Sequence, residues 1–203
     1  MNFLAHLHLA QQCNSHLAGN LLADFIRGDP YRQFNQEIAD GIKLHRFVDS
    51  YIDAMPEVRQ CRQLFGPDTR RVSGIALDMI WDHFLARHWL HFHHQPLQDF
   101  VREARAEVEL YQHNMPEQYL LTMNRMWQQK WLLQYRHTES LEVSLVRMAR
   151  RRPRLHQLAL TPPVLMANYH ELEQQFFSIY PQVEQAAKNF HPNRNQPVSS
   201  PES

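Results

Sequence analysis

Two aspartates spaced four residues apart interrupt an apolar segment of the chain. Asp78 and Asp82 lie in GIALDMIWDHFLARHW, so on a helix they share one face and are about 40° apart. Their like charges repel, and burial among aliphatic and aromatic neighbours adds a desolvation penalty. A divalent cation between them removes both penalties, and His83 could add a nitrogen ligand or orient one. The alternative is that Asp78 pairs with Arg87 while Asp82 stays in solvent.

A second group with the same spacing lies in GIKLHRFVDSYIDAMP. His45 and Asp49 are four residues apart, and Asp53 continues the row. A histidine and an aspartate one helical turn apart can present nitrogen and oxygen donors to one ion. Arg46 could clamp a phosphate oxygen through two guanidinium hydrogen bonds. The plainer interpretation is a hydrogen bond between His45 and Asp49 at the surface.

Two further candidates lie near the start of the chain. Asp24 in GNLLADF is surrounded by apolar residues, so it is either a metal ligand or the partner of Arg27. His6 and His8 in NFLAHLHLA lie two residues apart and diverge by about 200° on a helix, so they cannot both bind one ion. The alternative for His6 is a core histidine whose hydrogen bonds are satisfied within the protein.

Together these side chains predict one metal centre supplied by several helices of the N-terminal half. Mixed imidazole and carboxylate donors suit Mn²⁺, Mg²⁺ or Fe²⁺, and of these we expect Mn²⁺. Cys13 and Cys61 lack the spacing of a metal site, which argues against structural zinc. The predicted ligands are Asp24, His45, Asp78, Asp82 and His6.

The elements that carry these residues are helices. Helical periodicity recurs along most of the chain, and only 5 of 203 residues are glycine, which disfavours a fold built of hairpins. We predict a single-domain all-α helical bundle over residues 1–190 and a disordered polar tail over 191–203. The predicted helices, the first capped by Asn2, cover residues 3–12, 16–26, 35–54, 57–65, 73–93, 97–113, 117–128, 140–150 and 163–189.

Charge and composition exclude some classes of partner. Lys+Arg and Asp+Glu cancel at 21 each, and no nucleic-acid-binding motif is present, so nucleic acid is not expected as a partner. No stretch approaches the roughly 18 apolar residues that a membrane span needs. The two cysteines fit a reducing compartment. We therefore expect a cytoplasmic protein with no membrane partner.

Five segments follow one another along the chain: NFLAHLHLA, GNLLADF, GIKLHRFVD, LDMIWDHFLARHW and ARRRPRL. In this order they closely resemble the bacterial acyl carrier protein phosphodiesterase family, and the likeness extends to about residue 187. The resemblance implies an HD-domain-like helical phosphohydrolase that uses Mn²⁺ or Mg²⁺. It places Asp24, His45, Asp78, Asp82 and His83 within family motifs. Residues 82–83 read Asp-His, which reverses the dipeptide that names the HD enzymes.

The resemblance predicts hydrolysis of the phosphodiester that links 4′-phosphopantetheine to the serine of holo-acyl carrier protein, by a metal-activated water. We place His83, Arg46 and Asp49 among the catalytic residues. Arg46 would stabilise charge on the phosphoryl oxygens, and His83 or His45 would protonate the leaving serine oxygen. Two alternatives are an HD-type phosphohydrolase acting on nucleotides and a non-catalytic helical binding module.

A run of arginines near residue 150 bears on the partner. RMARRRPRL contains no acidic residue. Acyl carrier proteins are strongly acidic, as the resemblance implies, so this run would attract holo-acyl carrier protein over a long range and less so at high salt. The alternative is a solvated turn between helices. The predicted partner-binding residues are Arg147, Arg150, Arg151, Arg152 and Arg154.

Overall fold

The computed structural model describes residues 1–113 and 115–192, which form helices and no strands. The predicted all-α single-domain bundle is confirmed. The helices are α1 (Phe3–Gln12), α2 (Leu17–Leu22), α3 (Gln36–Ala54), α4 (Pro56–Gln63), α5 (Ser73–Arg87), α6 (Trp89–Phe92), α7 (Leu97–Glu109), α8 (Glu117–Gln128), α9 (Trp131–Gln134), α10 (Thr138–Arg151), α11 (Thr161–Ala167) and α12 (Tyr169–Lys188). Short 3₁₀ segments cover Ala23–Phe25, Pro30–Arg32, Arg70–Val72 and Pro153–Leu160.

Helix α1 lies at the centre of the bundle. It packs against α2, α3, α5 and α12, and its residues from Leu4 to Ala10 are all buried. A helix enclosed on every side has no polar face to leave in solvent, so His6 and His8 are inside the protein. Each buried imidazole therefore needs a partner within the structure.

Helix α3 carries His45, Arg46 and Asp49 and is bounded by sequence signals. Its N-cap is Asn35, whose side-chain oxygen accepts the backbone N–H of Ile38 at 3.0 Å. It ends at Ala54, two residues before Pro56, because the residue preceding a proline disfavours helical torsion angles. Its buried side chains include Ile38, Ile42, Val48 and Ile52.

Two glycines bring α2 and α3 into backbone contact. A Cβ atom on Gly19 would lie 2.5 Å from the carbonyl oxygen of Ile38, and one on Gly41 would lie 2.8 Å from that of His16. Both distances are shorter than van der Waals contact, so a larger residue would push the two helices apart. The close packing sets the end of α2, and with it Asp24, beside the middle of α3.

The boundaries of several helices differ from the predicted ones. The segment 73–93 divides at His88 into α5 and α6, and the segment 163–189 divides at Asn168, where the Nδ2 atom donates to the carbonyl oxygen of Val164 at 2.8 Å. Helix α9 and the 3₁₀ segment Pro153–Leu160 were not predicted, since both are too short for a periodic pattern. The chain leaves α2 after Leu22 through a 3₁₀ turn instead of continuing to residue 26.

Two further expectations concern the membrane and the C-terminal tail. Among the described helices, none combines the length and the apolar character that crossing a bilayer requires.

Of the predicted tail, residues 193–203 lie outside the described residues. Phe190, just before the predicted tail, stacks on Phe47 with ring centroids 4.4 Å apart.

Candidate metal centre

Two histidines from different helices form the floor of the candidate site. The imidazoles of His6 on α1 and His45 on α3 lie nearly parallel, with ring centroids 3.6 Å apart and planes inclined by 16°. Asp49 follows His45 by one helical turn and reaches both rings. Its Oδ1 atom lies 3.2 Å from Nε2 of His6, and its Oδ2 atom lies 3.1 Å from Nε2 of His45. One carboxylate therefore bridges two stacked imidazoles.

Asp24 completes the group from the opposite side. The 3₁₀ turn Ala23–Phe25 directs its carboxylate toward α3, where Oδ1 lies 3.4 Å from Nε2 of His45. Arg46 holds the chain that follows, because its guanidinium donates to the carbonyl oxygens of Ile26 at 2.8 Å and Gly28 at 2.7 Å. Gly28 has a φ of +80°, a conformation that glycine adopts at low cost. Arg46 thus positions the loop next to Asp24.

Asp78 lies at the edge of this group. Its Oδ1 atom accepts a hydrogen bond of 2.7 Å from the α-amino group of Met1, and that amine lies 3.6 Å from Oδ1 of Asp49. The α-amino group of Met1 therefore bridges Asp78 and Asp49. The pairing with Arg87 that the sequence left open does not occur.

The two imidazoles depend on carboxylates for their polar contacts. Nδ1 of His6 and Nδ1 of His45 are buried and have no hydrogen-bond partner among the described residues, and Nε2 of His6 meets Asp49 at 3.2 Å without good hydrogen-bond geometry. Ligand atoms of His6, His45 and Asp49 all lie within 4.8 Å of one another. Donor atoms that share one ion at about 2.1 Å are themselves about 3.0–3.4 Å apart, which agrees with the contacts of 3.1, 3.2 and 3.4 Å. The donor set therefore fits a divalent cation.

Burial and neighbouring charges set the protonation of the cluster. Burial, together with the nearby His45, lowers the pKa of His6 to about 4, so His6 is neutral at pH 7. Burial also lowers the pKa of His45, but the carboxylates of Asp24 and Asp49 outweigh it and raise that pKa to about 9. Burial raises the pKa of Asp49, yet its two histidine partners overcome this effect and hold the pKa well below its usual range. Asp49 is thus an anion held between two imidazoles.

The chain is similar to one known protein family over most of its length. The family model of acyl carrier protein phosphodiesterase matches residues 1–183. The chain belongs to the acyl carrier protein phosphodiesterase family. Relatives of that name from Enterobacter sp. strain 638, Pectobacterium atrosepticum and Escherichia coli O6:H1 are 43%, 44% and 44% identical over 190, 189 and 190 residues. Each alignment covers 93% of this chain and 98% of the relative. No solved structure matches the chain significantly.

Asp82 lies on α5, apart from the cluster. Its carboxylate, fully buried, accepts backbone N–H groups of Leu4 at 2.7 Å and of Asn2 and Ala5 at 3.2 Å each. Burial raises the pKa of Asp82 to about 7, while these three hydrogen bonds favour its anionic form. The side chain of Asn2 makes no capping bond, so Asp82 caps α1 in its place. It is neither solvated nor in contact with His6 or His45.

His83, the next residue on α5, is also satisfied away from the cluster. Its Nδ1 atom lies 2.7 Å from the carbonyl oxygen of Tyr135, and its Nε2 atom lies 2.7 Å from the hydroxyl of Tyr169. The first contact requires an N–H on Nδ1, so Nε2 accepts from the tyrosine. Burial lowers the pKa of His83, which favours this neutral tautomer. The imidazole thus ties α5 to α12 and to the segment after α9.

The arginine run of this family member is exposed. It lies at the end of α10 and the start of the 3₁₀ segment Pro153–Leu160, which packs on the 3₁₀ segment Arg70–Val72 ahead of α5. Within residues 1–113 and 115–192, no ion pair involves it. We call it the arginine surface; its members are Arg147, Arg150, Arg151, Arg152 and Arg154.

Proposed function

We propose that the protein hydrolyses the phosphodiester between 4′-phosphopantetheine and the serine of holo-acyl carrier protein. The products are apo-acyl carrier protein and 4′-phosphopantetheine. The observation that carries the proposal is the cluster of His6, His45 and Asp49, found in a chain whose relatives along almost its whole length are named acyl carrier protein phosphodiesterases. We also propose that the protein is cytoplasmic and that its helical domain is related to the HD-type phosphohydrolases.

The centre is proposed to bind one divalent cation, with Mn²⁺ as the first choice and Mg²⁺ or Fe²⁺ as alternatives. His6, His45, Asp49 and Asp24 supply two nitrogen and two carboxylate ligands, a set that suits these metals better than a thiolate site would. When bound, such an ion supplies a water that loses its proton near neutral pH and positive charge for the phosphoryl oxygens.

Asp24 is proposed to hold the cation through Oδ1, the atom that faces His45, and to take the proton of the attacking water on its other carboxylate oxygen. Its side chain is 56% exposed, against 41% for Asp49 and 38% for Asp78, so it lies at the open edge where a phosphodiester can approach. Burial raises its pKa, but His45 outweighs this and lowers the pKa below its usual value, so Asp24 is ionised and can accept a proton. The water oxygen bonds to phosphorus, the bond to the serine oxygen breaks, and that oxygen takes a proton from solvent.

Five of the residues predicted from the sequence receive other proposed roles, and one of them is Asp49, predicted to be catalytic and now proposed as a metal ligand. Arg46 positions the loop after Asp24 because both arms of its guanidinium are already bound to carbonyl oxygens. Asp82 caps α1, and His83 joins three elements, so both act on the structure that carries the ligands. Asp78 orients Asp49 through the amine between them.

The arginine surface is proposed to dock the acidic carrier protein. Charge of one sign steers an oppositely charged partner and raises the rate of encounter. Leu160 and Met166 follow it in the chain and are 55% and 42% exposed, so apolar contacts can accompany the ionic ones. The packing of Pro153–Leu160 against Arg70–Val72 places this surface next to the start of α5, the helix that bears Asp78.

The decisive experiment is mass spectrometry of holo-acyl carrier protein after incubation with the enzyme. We expect the mass of one 4′-phosphopantetheine to be lost with Mn²⁺ present, and no loss after the enzyme has been stripped with a chelator. If turnover returns when Mn²⁺ is added back, the loss came from removal of the metal and not from damage to the enzyme by the chelator. Hydrolysis of mononucleotides with an intact holo-carrier would contradict the proposal, and so would undiminished turnover without metal.

A further inference from the structure

The loop that follows Asp24 is held along its backbone by two side chains. Arg46 donates to the carbonyl oxygens of Ile26 and Gly28 at 2.8 and 2.7 Å. Nε2 of Gln33 donates to the two carbonyl oxygens that alternate with these, at 2.9 and 3.1 Å. Four successive carbonyl oxygens of a largely exposed loop are thus bound by side chains, which limits the motion expected of such a loop. The residue between Ile26 and Gly28 therefore has a fixed backbone position beside Asp24.

That residue is Arg27, an exposed arginine three positions after Asp24. Within residues 1–113 and 115–192, its guanidinium makes no hydrogen bond and no ion pair. Asp24 meets His45 instead, so the pairing of Asp24 with Arg27 that the sequence left open does not form. Asp29, the acidic residue of the loop, faces Arg32 at 3.7 Å and is the N-cap of the next 3₁₀ segment. Arg27 therefore keeps its charge without an acidic partner in the described part of the chain.

The charges around Asp24 call for a cation that can bind an anionic substrate. The exposed carboxylate of Asp24 repels a phosphodiester, which is itself an anion, unless positive charge lies nearby. A guanidinium suits this purpose because it is always charged and its planar fork of N–H donors matches the oxygens of a phosphoryl group. Arg46, the arginine that the sequence predicts for this role, is already bound to two carbonyl oxygens. Arg27, on the loop that Arg46 holds, has its donors available.

We propose that Arg27 binds a non-bridging oxygen of the phosphodiester during hydrolysis. This inference rests on the proposed function. A phosphodiester monoanion has two non-bridging oxygens, so one can be neutralised by the proposed cation and the other by Arg27. Negative charge on these oxygens must be stabilised when water attacks phosphorus, and a guanidinium supplies that stabilisation. Because the backbone of residue 27 is already fixed, only its side chain has to become ordered when the substrate binds.

The first test uses dimethyl phosphate, a phosphodiester monoanion that lacks both the carrier protein and the pantetheine chain. Its binding to the Mg²⁺-loaded protein is followed by phosphorus NMR. We expect Arg27→Gln to weaken this binding about tenfold or more, because a hydrogen bond between charged groups is lost. Its thermal midpoint should match that of the unaltered protein, since the guanidinium has no partner among the described residues.

Arg32→Gln is the control, because it makes the same change at an arginine whose side chain is 86% exposed in the adjacent 3₁₀ segment. It should bind dimethyl phosphate as the unaltered protein does. Equal binding by the two variants would overturn the inference, and so would the absence of binding by the unaltered protein.

The second test compares two forms of the carrier protein. The apo-carrier lacks the phosphodiester, so its binding in calorimetry should be the same for Arg27→Gln and the unaltered protein, whereas kcat/KM for the holo-carrier should fall about tenfold or more. Arg27→Lys keeps the charge without the planar fork and should recover only part of that loss. Equal losses for both carrier forms would make Arg27 a docking charge, which overturns the inference and leaves the proposed hydrolysis intact. If the unaltered enzyme fails to cleave the holo-carrier, the proposed function is lost, while dimethyl phosphate still decides whether Arg27 binds a phosphodiester.

Discussion

Asp49 and Asp53 lie one turn apart on α3, yet only Asp49 reaches the two imidazoles of the candidate metal centre. Asp53 turns instead to Arg62, whose Nη2 atom lies 2.6 Å from its Oδ1 atom. The same Asp→Asn substitution can therefore be made at a residue that contacts the imidazoles and at one on the same helix that does not. We expect Asp49→Asn to lower bound Mn²⁺ and to reduce kcat more than about 100-fold, because the loss of even an outer-shell partner lowers affinity or activity 10–100-fold.

Asp53→Asn is the control for that variant. It removes an ion pair whose aspartate is 59% exposed, so metal content and kcat should stay near those of the unaltered protein. Elemental analysis and carrier-protein hydrolysis measure both quantities. Equal losses in the two variants would show that Asp49 acts as a general surface charge and not as a ligand.

Asp82 is expected to be needed for stability. Alanine there leaves three N–H groups at the start of α1 without an acceptor, two of them buried, which we expect to lower the free energy of unfolding by about 3–5 kcal/mol. Asp99→Ala is the control because Asp99 lies in the exposed first turn of α7, where the loss should be about 1 kcal/mol or less. Urea denaturation measures both. An Asp82→Ala protein of normal stability that had lost its metal would instead place Asp82 in the metal centre.

Arg46 is expected to act through the loop that it holds. Arg46→Lys keeps the charge but cannot bind both carbonyl oxygens in the same geometry, so kcat should fall about tenfold as Asp24 loses its fixed position. Hydrogen–deuterium exchange of amides 24–28 should rise in parallel. Arg32→Lys, at an exposed position in the adjacent 3₁₀ segment, should change neither quantity. Unchanged exchange with a raised KM would identify Arg46 as a phosphate-binding residue.

Charge reversal tests the arginine surface. We expect the double variant Arg150→Glu, Arg151→Glu to lower kcat/KM for the holo-carrier about tenfold or more at low salt and to weaken its dependence on salt. The variant Arg102→Glu, Arg105→Glu makes the same charge change at two exposed positions of α7. Steady-state kinetics at several ionic strengths compare the two. An identical effect of both variants would mean that overall charge alone governs the encounter.

His8 should make stability depend on pH. It is fully buried, with Nδ1 at 2.7 Å from the hydroxyl of Tyr180 and Nε2 at 3.3 Å from the carbonyl oxygen of Phe92. Burial, followed by nearby His93, lowers its pKa to about 4, and Glu184 at 3.9 Å does not offset this. The neutral ring accepts from the tyrosine and donates to the carbonyl, whereas a protonated ring cannot accept.

The sign of that pH dependence follows from the two pKa values. The folded pKa of about 4 lies below the ordinary 6.5, so the contribution of neutral His8 is fully present above pH 6.5 and is lost as the pH falls from 6.5 to 4. The loss amounts to about 3 kcal/mol. His8→Gln keeps a donor and an acceptor but does not titrate, so the difference in free energy of unfolding between the two proteins should shrink across this interval. Parallel pH curves from denaturant titrations would contradict the assignment.

Most helices could be predicted because their apolar residues recur with the helical period. The same reasoning found the His45–Asp49 pair, since spacing along one helix fixes which side chains share a face. It also showed that His6 and His8 must diverge, and in the structure His6 meets His45 while His8 meets Tyr180. Short elements such as Trp131–Gln134 escaped prediction because four residues show no period.

Asp82 shows where such reasoning stops. The spacing of Asp78 and Asp82 predicted that both lie on one face of a helix, and both do lie on α5. The packing of helices that are far apart in the chain decides what such a face contacts. Here Asp82 contacts the first turn of α1, where its hydrogen-bond partner Leu4 is 78 residues away in the sequence. A carboxylate among apolar residues signals an unusual partner, but three backbone N–H groups and a metal ion satisfy that requirement equally well. The chain alone therefore determined the helices, the family and the donor types, because these depend on local periodicity and residue chemistry; only the packing of α1, α3 and α5 decided which donors meet.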